Sequence, residues 1–271
     1  MAITLVHTHA TNARKTRYLL RDNVDGKIWW GYSTRPESEI RNTPPEQLPR
    51  CGILDADALF TKLTPSMTRY RGPLDSPSVF IKYHNFIRYD TFEDETAQVD
   101  IKATQKREIW AAQKYQSAPH PNICEYMGVV TDVKQRVIAT VYRRFHMDLW
   151  TLVVRTSFLK QLASRPANAP PQLLNPEYIV SAIKSGMNHI HSIGLVHCDI
   201  RPENVFIDTD TGQVVIGDFD GTNTPGQKLC GRHAVRATEH TEGKIVDVRI
   251  DVGLVADIEK WFEEGKRRVA G

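Results

Sequence analysis

Asp199 and Asn204 stand five positions apart in the stretch His197-Cys198-Asp199-Ile200-Arg201-Pro202-Glu203-Asn204, and Gly217-Asp218-Phe219-Asp220 follows past a short apolar hairpin. Asp199, Asn204 and Asp218 can converge at one point. Carboxylate and carboxamide oxygens suit a hard cation such as Mg²⁺, which takes few protein ligands and completes its shell with substrate phosphate oxygens. With Asn204 and Asp218 on the metal, Asp199 is left to orient a hydroxyl or accept its proton. A base so positioned contributes roughly 10²–10⁴-fold in rate. His189 and His191 invite a metal reading as well. Positions i and i+2 on a helix do not face each other, so packing or capping roles are expected for them. Cys198 is expected to be a buried, inert thiol rather than a reactive one.

These residues need elements to place them. Ile179, Val180, Ile183, Met187 and Ile190 form one stripe, which predicts a helix over 176–192, with Pro176 in its first turn and Gly194 at its end. Val205-Phe206-Ile207 and Val214-Val215-Ile216 read as short strands joined at Asp210-Thr211-Gly212, and residues 251–263 as a last helix. Residues 147–163 look helical, and 164–175, with three prolines, look like a loop. The first half is richer in strands. Residues 17–33 predict a hairpin turning at Asp25-Gly26, residues 78–84 a strand, and 126–143 two β-rich runs, whereas 100–117 carry helical spacing. Residues 34–50, with Pro36, Pro44, Pro45 and Pro49, read as a loop or linker. The change of pattern near 142–147 suggests two lobes.

The ordered motifs resemble the protein-kinase-like superfamily. Asp199 and Asn204 match the spacing of the His-Arg-Asp-x-x-x-x-Asn catalytic loop, and Asp218-Phe219-Asp220 matches Asp-Phe-Gly at two positions of three. Val79-Phe80-Ile81-Lys82 resembles the Val-Ala-Ile-Lys strand, and His120-Pro121-Asn122-Ile123 the turn after the helix that carries the lysine's glutamate partner. The resemblance covers about residues 60–262. It implies an α+β, bilobal fold with a β-rich N-lobe (56–143), a mainly helical C-lobe (144–271), and residues 1–55 as an extension holding the hairpin. It also implies roles. Asp199 would be the catalytic base, Lys82 would pair with α- and β-phosphates, Arg201 would reach the γ-phosphate, and Asn204 and Asp218 would hold Mg²⁺. Glu108 would hold Lys82 in place, with Glu93 and Glu95 as alternatives.

Several positions depart from the family pattern. Residues 60–69 before Lys82 contain no glycine, so either hydroxyls of Thr64, Ser66 or Thr68 replace the backbone N–H groups of a glycine-rich loop or the nucleotide is expected to bind weakly. Cys198 replaces an arginine, Arg201 a lysine and Asp220 a glycine. No Ala-Pro-Glu occurs between Asp220 and Asp251, and 20 residues follow Asp251, so the C-lobe is expected to be shortened.

Three functions are therefore in view. The first is an ATP- and Mg²⁺-dependent protein kinase acting on a Ser/Thr hydroxyl. The second is a pseudokinase that serves as a binding or scaffold module. The third is a small-molecule phosphotransferase like the aminoglycoside and choline kinases, which Ile216-Gly217-Asp218-Phe219-Asp220 also resembles. Composition narrows the setting. Lys plus Arg is 35 against 32 for Asp plus Glu, too even for binding nucleic acid through phosphate neutralisation. No apolar run is long enough to span a membrane, and the first residues lack a signal-peptide core. Four scattered cysteines, Cys51, Cys124, Cys198 and Cys230, predict reduced thiols and an intracellular, cytoplasmic protein.

Overall fold

The computed structural model describes residues 3–10, 15–83, 95–155, 170–229 and 245–270. It is an α+β protein whose chain divides into two compact units, one formed by Met1–Leu74, Ile81–Ile109 and Met127–Val141, the other by Asp75–Phe80, Trp110–Tyr126 and Tyr142–Gly271.

The first unit opens with an antiparallel sheet of β1 (Ile3–Ala10), β2 (Thr16–Asp22), β3 (Ile28–Ser33) and β4 (Gly52–Leu54), in that order. Alternation along β2 buries both faces. Tyr18 and Leu20 pack with Ile3, Ile40 and Leu48, whereas Leu19 packs with Ile28, Leu54, Leu59, Phe60 and Ile138. The β2–β3 turn uses Gly26 at φ +70°, where a side chain would also strike the Arg136 guanidinium at 2.7 Å.

Residues 34–50 differ from the loop their prolines suggest. They hold α1 (Glu37–Asn42) and a 3-10 turn at Pro45–Gln47. Pro36 precedes the helix and Pro45 starts the turn, positions where the missing N–H costs nothing. Burial of Ile40 and Leu48 on the β2 face supplies the driving force.

After α2 (Ala56–Leu59), capped by Asp55, residues 60–70 run as a strap along two later strands. Those strands, β6 (Tyr126–Thr131) and β7 (Val137–Arg143), form a sheet with β5 (Val79–Tyr83) in the order β5-β7-β6. The strap bridges Lys62 to Arg136 and Arg69 to Val129. Helix α3 (Glu95–Ser117) buries Gln105, Glu108, Ile109 and Ala112 on one stripe.

The second unit contains α4 (Leu149–Arg155), α5 (Pro176–Ser192), α6 (Arg249–Ala270) and a small sheet in the order β10 (Val214–Ile216), β9 (Val205–Ile207), β8 (Met147–Asp148). Residues 164–169 of the expected loop lie outside the described residues; the remainder includes a 3-10 turn at Pro171–Leu174. Asn175 caps α5 by accepting the Glu177 N–H at 2.9 Å, ahead of Pro176. Gly186 lets α5 approach the His-Pro-Asn-Ile turn, since a Cβ there would lie 2.7 Å from the Asn122 carbonyl. That turn is held by β10, with Ile216 N–H on the Asn122 carbonyl and Asn122 Nδ2 on the Val214 carbonyl, each at 2.9 Å. On α6, Ile250, Leu254, Val255, Ile258 and Phe262 are buried at helical spacing.

Cys51, Cys124 and Cys198 are reduced thiols, the last two buried, while Cys230 lies outside the described residues. Among the described residues, no helix is long and apolar enough to cross a membrane.

Candidate active site

In the second unit, His197 to Asn204 run between a bridge at Val196–Asn223 and strand β9. The bend is set by a carboxylate. Asp251, wholly buried at the start of α6, accepts the backbone N–H groups of His197 and Cys198 at 2.8 Å each, and the Nε2–H of His191 at 2.9 Å. Cys198 sits at φ +64°, a left-handed conformation that costs a non-glycine residue roughly 1–3 kcal/mol. The two hydrogen bonds to Asp251 hold it there. His197 is also fully buried. Its Nε2 lies 3.1 Å from the Gly217 carbonyl oxygen, and its Nδ1 accepts the Asp199 N–H at 3.3 Å, which together fix the orientation of the ring.

Asp199 and Asn204 come together. Asn204 Nδ2 donates to the Asp199 carbonyl at 2.9 Å and to Asp199 Oδ2 at 2.8 Å. The Gly217 N–H in turn donates to the Asn204 carbonyl at 2.9 Å, so the start of the Asp218 segment is tied to the loop. Asp218 has φ +62°, and Phe219 behind it is fully buried against Tyr115, Tyr142 and His197, with ring centroids 4.5–5.9 Å apart. Tyr115 lies 3.3 Å from the Thr222 hydroxyl, and burial pushes its phenol far above the ordinary range. With the Asn204 amide nitrogen engaged by Asp199, its oxygen is the atom left to face a cation, and Asp218 adds a carboxylate. This hard oxygen set fits Mg²⁺.

Arg201 is in the same loop, but its guanidinium forks onto Glu203, with Nε 2.8 Å from Oε2 and Nη2 on Oε1. That hydrogen bond pushes the Arg201 pKa further up, so the residue stays a cation. A cavity of about 310 Å³ adjoins the loop, lined in part by Ile200, Glu203 and Asp257 and by the stacked pair Trp150 and Trp261.

In the first unit, Lys82 on β5 meets Glu108 on α3, with Nζ 2.8 Å from Oε1. Glu108 is 1% exposed, and the Thr140 hydroxyl on β7 lies 3.5 Å from the same oxygen. An ionised carboxylate so buried needs a cation or donors close by. Of the alternatives, Glu93 lies outside the described residues and Glu95 opens α3. Thr64 and Ser66, two of the candidate phosphate-binding hydroxyls, bond each other at 2.9 Å, and the Thr68 carbonyl accepts the Val129 N–H.

A family model described as the protein kinase domain matches residues 87–252, more than half of the chain. The chain belongs to the protein kinase family. Sperm motility kinase 3A of Mus musculus is 29% identical over 152 residues, covering 52% of this chain and 27% of that protein. Sperm motility kinase 2B of Mus musculus is 27% identical over 182 residues, covering 63% of this chain and 35% of that protein. The serine/threonine-protein kinase AtPK1/AtPK6 of Arabidopsis thaliana is 36% identical over 74 residues, covering 26% of this chain and 16% of that protein. The matched part is thus at most about a third of the length of these relatives.

Asp251 resembles the aspartate that opens the large C-lobe helix of the family, yet the sequence does not reveal its bonding. It is legible as the start of a helix, but its use as acceptor for two loop N–H groups and for His191 on α5 is not. The available signal was weak: an acidic residue in an apolar stripe, which burial allows only with donors in place.

Proposed function

We propose that this kinase domain transfers the γ-phosphate of ATP to a Ser/Thr hydroxyl of a protein. The observation that carries the reading is the Asp199–Asn204–Gly217 chain of hydrogen bonds, which fixes a carboxylate, a carboxamide and the approach to Asp218 in one place. Asp199 accepts the proton of the attacking hydroxyl, and the Asn204 amide aims the carboxylate by bonding one of its oxygens. Asn204 and Asp218 hold Mg²⁺, which when bound neutralises charge on the phosphate oxygens. Lys82 supplies an ammonium to the α- and β-phosphates, kept in place by Glu108. The cavity walled by Trp150 and Trp261 suits a side chain of a peptide acceptor.

The test is phosphate transfer from radiolabelled ATP to mixed peptides by wild type and Asp199→Asn. Loss of about 10²–10⁴-fold in turnover is expected, with thermal stabilisation by ATP and Mg²⁺ retained. Unchanged turnover would remove Asp199 from the chemistry. A second reading, a nucleotide-binding or scaffold module without catalysis, is favoured by one feature: the Arg201 fork is engaged by Glu203. Stabilisation by ATP with no transfer from the wild type would select it.

A further inference from the structure

Gln105 is a polar side chain with no exposed surface, one helical turn before Glu108 on the same buried stripe of α3. Its carbonyl oxygen accepts the Thr61 N–H at 2.7 Å, and its amide donates to the Val137 carbonyl at 2.7 Å. The Val137 N–H donates to the Thr61 carbonyl at 2.8 Å, which closes a ring of three hydrogen bonds among helix, strap and β7. One turn earlier, Lys102 donates to the Asp57 carbonyl at 2.7 Å. Both ties end on residues 57–61, the segment joining the N-terminal sheet to the strap.

That segment is itself anchored. Arg136, 3% exposed, binds Asp132 at 2.6 Å, donates to the Gly26 carbonyl in the β2–β3 turn, and lies 3.8 Å from Asp57. Buried groups of this kind are costly unless every bond is made, so the ring has one low-energy arrangement. The same arrangement fixes the rotation of α3 about its axis, and that rotation sets where the Glu108 carboxylate points.

We infer that Gln105 is a positioning residue for the Lys82–Glu108 pair, through which the N-terminal sheet and strap hold α3 in its ion-paired setting. As a device for catalysis this rests on the phosphotransfer reading above; as a device for the ion pair it stands on the bonds themselves.

The test uses the full chain and measures acylation of Lys82 by an amine-reactive ester with mass-spectrometric readout. Lys184, paired with Glu259 on helices of the second unit, is the internal reference. Gln105→Met keeps length and volume but makes neither hydrogen bond. An ammonium loses protection when its carboxylate moves away, so Gln105→Met should speed Lys82 acylation by about 3–10-fold, with Lys184 unchanged. Added to Glu108→Gln it should have no further effect, because both changes act on one contact. Unchanged Lys82 labelling in Gln105→Met, or effects that simply add in the double variant, would overturn the assignment. A merely structural role for Gln105 would move both lysines together. If near-UV circular dichroism shows that Gln105→Met does not fold, Lys102→Met at the more exposed tie carries the same comparison with the same decisive outcomes. Absence of ATP stabilisation in the wild type would count against the phosphotransfer reading alone, since the labelling experiment contains no nucleotide.

Discussion

Two carboxylates, Glu108 in the first unit and Asp251 in the second, are equally buried and do opposite jobs. Glu108 meets a side-chain cation, Lys82, across a sequence separation of 26 residues. Asp251 meets backbone N–H groups of the loop it shapes. The first fixes the position of one flexible side chain, and the pair remains partly open to water, with Lys82 25% exposed. The second fixes main-chain torsions, including the left-handed turn at Cys198, from a place no water reaches. A charge used on a side chain tunes a site, whereas a charge used on the backbone builds one.

The comparison predicts unequal damage. Asp251→Ala should be the most severe single change, since it strands two buried N–H groups, removes the partner of His191 and releases the strain at Cys198. A loss of about 3–5 kcal/mol is expected in urea unfolding. Asp251→Asn, which keeps one acceptor oxygen, should fall between that and wild type. A loss under about 1 kcal/mol for Asp251→Ala would mean that the bend is held by something else.

Glu108→Gln should behave differently. The amide still accepts a hydrogen bond from Lys82, and the partly exposed ammonium regains water, so stability should change by only about 1 kcal/mol or less. Placement of the ammonium depends on the lost charge, and affinity for ATP with Mg²⁺ should drop about tenfold. Fluorescent-nucleotide titration beside urea unfolding measures both. A stability loss rivalling that of Asp251→Ala would erase the distinction between tuning and building.

Legibility follows the same division. The loop motif was readable because its residue types stand at fixed spacing: Asp199, Asn204 and Asp218 are named by sequence alone, whereas the bonding of Asp251, which bends the loop, is not. The helices 176–192 and 251–263 were readable because their apolar stripes have one period. What sequence could not supply was partnership over long separations. Gln105 reads as one more polar residue on a helix until Thr61 and Val137 are beside it. A local partnership escaped it too: Arg201 reads as a cation available to phosphate until Glu203, two residues on, is found holding its fork. Residues 34–50 read as a loop because proline dominates local propensity, whereas burial of Ile40 and Leu48 decides the outcome.

A third device, backbone strain, also separates the units and supplies the smallest predicted effect. Gln135 in the β6–β7 turn and Cys198 in the loop have nearly the same torsion, φ +58° and +64°. Gln135 is exposed, and its N–H and carbonyl bonds, to the Asp132 carbonyl and the Leu63 N–H, are made by the main chain alone. Glycine there relieves the left-handed penalty and removes no packing, so Gln135→Gly should stabilise by about 0.5–1 kcal/mol after the extra freedom it gives the unfolded chain is counted. Cys198→Gly relieves the same penalty but empties a fully buried site, and it should give no gain. Urea midpoints of the two variants measured side by side decide it. Equal stabilisation would show that the buried Cys198 side chain contributes nothing to packing, so that the strain there is as freely relieved as at Gln135.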